Sequence, residues 1–74
     1  SDNSTIEYNL NDAAKVSVVI TDITGKVLKT INQGNQNAGV YKVNIDANEF
    51  ANGTYFYTLN AGENKVTKRM VVSK

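Results

Sequence analysis

The sequence predicts a small antiparallel β-sandwich. Apolar residues alternate with a period of two almost throughout, turn signals recur about every ten residues, and no stretch carries the spacing of a long helix. The 74 residues form one domain, 1–74, near the size at which a single core only just offsets chain entropy.

Each element has its own signal. Ile6, Tyr8 and Leu10 alternate with Thr5, Glu7 and Asn9, the pattern of a half-buried strand. Asn11-Asp12-Ala13-Ala14 makes a turn. Val16, Val18 and Ile20 share one face of the next strand, and the extra Val19 on the other face marks it as central. Asp22-Ile23-Thr24-Gly25 is a hairpin signal: Asp22 can accept backbone N–H bonds, and Gly25 supplies the positive φ that closes a three-residue loop. Lys26 to Ile31 follows as a strand, with Val27, Lys29 and Ile31 on one face. The stretch 32–39 is rich in Asn and Gly and is expected to be a loop.

Tyr41, Val43 and Ile45 alternate along strand four. Asp46 and Glu49 can form a capping box for one helical turn, with Phe50 as a plug beneath the sheet edge. Thr54 to Leu59 is the aromatic strand, with Tyr55, Tyr57 and Leu59 on the expected core face and Phe56 opposite. After the turn at 60–64, Val66, Lys68, Met70 and Val72 alternate with Thr67, Arg69, Val71 and Ser73 in the final strand.

Composition removes most chemistry. There is no cysteine for a disulfide and no histidine, the usual general base and metal ligand. A net charge of +1 does not suit a nucleic-acid binder. No segment is long and apolar enough to span a membrane as a helix. Ser1 to Thr5 is polar, with neither an initiating methionine nor a signal-peptide core, so the chain is expected to be a piece of a longer protein. The serines and threonines occupy solvated strand positions, and Asp12, Asp22 and Asp46 have turn or cap roles, so no enzyme is expected. Asp and Asn in the loops make calcium the best metal candidate, but without a spaced ligand ladder no cofactor or metal is assigned. Asn3-Ser4-Thr5 and Asn52-Gly53-Thr54 match the glycosylation pattern, the second being better read as the joint that starts strand five.

Charge is uneven. Residues 65–74 carry Lys65, Lys68, Arg69 and Lys74 with no acid, whereas residues 1–64 set four lysines against seven carboxylates. A basic strand thus closes a mildly acidic domain. Lysine on an edge strand blocks unwanted sheet pairing, and the same strand can also recognise a partner.

Several blocks carry a family resemblance in order: Lys15-Val16-Ser17-Val18 leading to Ile20 through Val27, Gly39 through Asp46, Phe50 through Tyr57 with its Gly-x-Tyr, and Lys68 through Lys74. Together they resemble the type A C-terminal sorting domains of the type IX secretion system of Bacteroidota. That family usually opens on a Pro-Asn-Pro segment. This chain has no proline, so the lead-in is expected to have been trimmed.

The resemblance implies a seven-stranded immunoglobulin-like sandwich of Greek-key type, six strands of which are legible here. It implies a cargo tag, directed through the outer-membrane translocon and often removed by a cell-surface sortase. The expected location is secreted or at the cell surface, by way of the periplasm of a Gram-negative bacterium. The expected partners are the translocon, the sortase and an N-terminal cargo domain, with no nucleic acid and no small-molecule substrate. Lys68, Arg69, Met70, Val71, Val72 and Lys74 would be the recognition residues, and Asp22, Gly25, Lys26, Gly39, Gly53 and Tyr55 the structural motif positions. The alternative is an accessory adhesion or carbohydrate-binding sandwich of a surface enzyme.

Overall fold

The computed structural model describes residues 3–74, with side chains from residue 5 onward. The polar start Ser1-Asp2 and the side chains of Asn3 and Ser4 in the first glycosylation pattern lie outside the described residues. Six strands are present: β1 (Asn3–Leu10), β2 (Ala14–Thr21), β3 (Val27–Gln36), β4 (Gly39–Asp46), β5 (Gly53–Ala61) and β6 (Asn64–Val72). A short 3-10 turn, η1 (Ala47–Glu49), joins β4 to β5. A sheet of order β1-β4 faces a sheet of order β3-β2-β5-β6, and every pairing is antiparallel. The fold is thus an immunoglobulin-like sandwich, with six strands among the described residues where the resemblance implied seven.

The period of two explains the core. Ile6, Tyr8 and Leu10 from β1, with Val43 and Ile45 from β4, meet Val16, Val18 and Ile20 from β2, Tyr55 from β5, and Met70 and Val72 from β6. Val18 and Ile20 are wholly buried because β2 lies between β3 and β5 under the smaller sheet. Phe50 plugs the core as expected, its ring 5.3 Å from that of Tyr55.

Three local expectations need correction. The Asn- and Gly-rich stretch is not a loop as far as Gln36. It pairs with β2 through Ser17↔Asn32, Val16↔Gly34, Lys15↔Asn35 and Ala14↔Gln36, with a register shift that leaves Gln33 as an extra residue. Gly34, at φ +71°, supplies the left-handed backbone at this bulge. A second shift sets Val27 opposite Thr21, so Val27 leaves the face it was expected to share with Lys29 and Ile31. The capping box is half formed. Asp46 accepts from the Asn48 N–H at 2.9 Å, but Glu49 turns outward to the Lys29 ammonium.

Candidate functional site

The loop Asp22–Lys26 is built around one carboxylate oxygen. Asp22 Oδ1 accepts the Thr24 hydroxyl (2.6 Å), the Thr24 N–H (2.9 Å) and the Lys26 N–H (3.1 Å). These bonds, led by the Thr24 hydroxyl and joined by the nearby Lys26 charge, hold the Asp22 carboxyl below its ordinary pKa. Gly25, at φ +91°, donates its N–H to the Asp22 carbonyl and closes the hairpin. Asp22, Gly25 and Lys26 therefore form a self-satisfied turn.

Gly39 and Gly53 belong to a pair of matched devices that the sequence reading missed. Each opens a strand just after the chain has crossed between sheets, and each stands two residues before a tyrosine. The Tyr41 hydroxyl donates to the Asn37 carbonyl and the Tyr55 hydroxyl to the Ala51 carbonyl, both at 2.6 Å and both four residues upstream. A Cβ on either glycine would sit 3.9 Å from the ring that folds back beside it. Such tyrosine corners tie a strand's start to the connection that feeds it. The signal was available: Gly-x-Tyr occurs at both positions, 39–41 and 53–55.

The expected recognition residues do not form one surface. β6 is the edge of the larger sheet, as its charge suggested. Met70 and Val72 are buried core residues, paired with Tyr55 and Gly53. Arg69 and Val71 stand on the sheet's outer face opposite Phe56 and Thr54, while Lys68 stands opposite Tyr57 on the inner side. The Lys74 N–H donates to Asn52 Oδ1 at 2.8 Å, which engages the joint read earlier as a glycosylation pattern. Phe56 is half-buried on the outer face and Tyr55 is buried inside, so the aromatic strand offers no common platform for a ligand.

No group of three or more carboxylates, histidines or cysteines stands together among the described residues. The open features among the described residues include strand edges and several hollows, one of them a cleft beside β1. The cleft, about 280 Å³, lies between β1 and the β5–β6 hairpin, lined by Glu7, Tyr8, Tyr57, Leu59, Val66 and Lys68 among others.

The chain gives no significant match to curated proteins or to solved structures. The family model described as the FlgD Ig-like domain matches residues 1–65. That match overturns the resemblance to a type IX sorting domain, and with it the secretion-signal function and the translocon and sortase as partners. The adhesion or carbohydrate-binding alternative is not supported either. The blocks from Lys15 to Tyr57 that carried the resemblance all fall inside the matched region, where each makes a turn, a crossing or a core row of an immunoglobulin-like sandwich. A match spanning β1 to the start of β6 covers most of the sandwich, and the chain belongs to the FlgD Ig-like domain family.

Proposed function

We propose that the chain is a non-enzymatic immunoglobulin-like module that works by protein contact, in the setting of flagellar hook assembly. The family match over residues 1–65 carries this reading. The placement of the polar groups supports the absence of catalysis. Asp22 is consumed by its turn, Asp46 by the cap of η1, and Glu49 by Lys29, so these carboxylates serve the fold. The open edges of the sheets support a role in contact, because unpaired strand edges and a fixed sandwich suit docking better than turnover.

A domain exchange tests the reading. In a flagellated bacterium, the Ig-like domain of the FlgD protein is deleted or replaced by residues 1–74, and hooks are counted by electron microscopy. Hooks restored by the replacement and missing from the deletion are the expected result. Equal failure of both strains, with the fusion present at normal levels, would count against it.

A further inference from the structure

The two layers are unequal: two strands cover four. β1 is hydrogen-bonded to β4 on one side and has no strand on the other, so its second edge is free among the described residues. Beside that edge lies the 280 Å³ cleft, with Tyr57, Leu59 and Val66 as its floor. These residues alternate on the core-facing side, in the rows Leu59↔Val66 and Tyr57↔Lys68, yet Val66 remains 47% exposed. One row further along, Tyr55 and Met70 are buried. The core thus runs out halfway along β5 and β6. A second hollow at the β5–β6 turn shares Asn9, Leu59 and Val66 with the cleft and lengthens it into a groove.

The shape restricts the occupant. Facing sheets lie about 10 Å apart and neighbouring strands about 4.8 Å apart, so an extended chain pairing with β1 continues the small sheet as a single layer over β5 and β6. A folded second copy presents an edge two layers thick, and its β6 would bring further lysines to a rim that already holds Lys68. The chemistry restricts it further. Lys68 lines the cleft with no ion pair of its own, the Lys29–Glu49 pair being the salt bridge among the described residues. The charges of the groove are set apart, with Asp12 and Glu63 at its turn end, Glu7 on its β1 wall and Lys68 beside Tyr57 where the apolar floor ends. A strand apolar over Leu59 and Val66 and acidic two positions on, away from the turn, therefore sets its carboxylate at the ammonium.

We propose that this groove takes one extended strand of another protein. The strand hydrogen-bonds along the free edge of β1, rests an apolar side chain on Leu59 and Val66, and meets Lys68 with a carboxylate two residues further along. This deepens the protein-contact reading and rests on it.

The probe is a fluorescein-labelled ten-residue peptide of alternating threonine and valine in which one central valine is glutamate, with a second peptide carrying lysine there. Anisotropy and amide chemical shifts are followed on the full chain. The glutamate peptide is expected to shift the amides of β1, Leu59, Val66 and Lys68 and to slow hydrogen exchange along β1. Lys68→Glu should weaken it by roughly three- to five-fold and strengthen the lysine peptide by a similar factor. Val66→Asp should abolish binding, while Val71→Asp, on the outer face, should leave it unchanged.

No binding at about millimolar peptide, an affinity indifferent to the charge swap, or equal loss in both aspartate variants would each overturn the proposal. Concentration-dependent shifts of the same amides without peptide would overturn it in favour of a second copy. Hooks restored by the domain carrying Val66→Asp as well as by the parent domain would overturn the groove while leaving the assembly reading intact.

Discussion

Tyr55→Phe isolates what one tyrosine corner contributes. The change keeps the ring, which is buried and packed 5.3 Å from Phe50, and deletes only the hydroxyl that donates to the Ala51 carbonyl. A neutral hydrogen bond contributes about 1 kcal/mol net, and an acceptor left without a donor can raise the cost toward about 2 kcal/mol when it is shielded from water. This bond is partly buried, so the expected loss is about 1–1.5 kcal/mol. For a domain of this size each kcal/mol lowers Tm by roughly 4–8 °C. Tyr41→Phe makes the same deletion where the bond is exposed, and water can replace the donor there. Its cost should be under about 0.5 kcal/mol. Urea unfolding followed by circular dichroism measures both, with m unchanged if the native and denatured states keep their compactness. A Tyr55→Phe loss below about 0.3 kcal/mol, or a Tyr41→Phe loss larger than it, would refute the ranking by exposure.

Three further expectations concern the turn, the crossing and the tyrosine beneath the small sheet. The Asp22 carboxyl is held below its ordinary value of 3.8, so its contribution is present above that pH and lost as pH falls through the lowered folded value. The stability gap between the parent and Asp22→Ala at pH 7 should therefore narrow in acid, and urea titrations that show the same gap at about pH 2 would contradict this. Burial raises the Tyr8 pKa above 10.0, with a smaller opposing effect from its bond to Gln36. Its contribution is complete below that value and lost as pH rises through the raised one, so Tyr8→Phe should flatten the alkaline limb of a stability-against-pH curve. Gly53→Ala should cost about 1–3 kcal/mol, because φ is +154° there while the added Cβ meets only an ordinary 3.9 Å contact. A melting curve matching the parent's would place the glycine's role elsewhere.

Residues that alternate were easy to read. Every buried residue of β1, β2 and β4, and Met70 and Val72 of β6, lies on the face that a period of two assigns it. What periodicity cannot encode is an insertion. The extra residues Leu28 and Gln33 of β3 each shift the phase by one, so Val27 moved to Thr21 and a stretch that looked like a loop became five further residues of strand. Edge position was legible from charge for β6. The free edge of β1 was not, because Glu7 and Asn9 look the same whether or not another strand lies beside them. The groove depends on how many strands each sheet holds, and strand count per sheet is a property of pairing rather than of local pattern.

The same limit explains why the resemblance pointed to the wrong family. The strand-turn ending on Gly25-Lys26, the block from Gly39 to Asp46, the Gly-x-Tyr at 53–55 and a lysine-bearing final strand resemble a sorting tag only as a set. Each has a cause inside the sandwich. The first closes a hairpin around Asp22 Oδ1, the second and third anchor the crossings at Asn37 and Ala51, and the fourth protects a sheet edge. A chain that must fold as such a sandwich without cysteine meets these demands whatever it binds, so the blocks report the architecture they stabilise. Function has to be sought in groups the fold leaves unused. Lys68 and Val66, exposed on a face that elsewhere forms the core, are such groups.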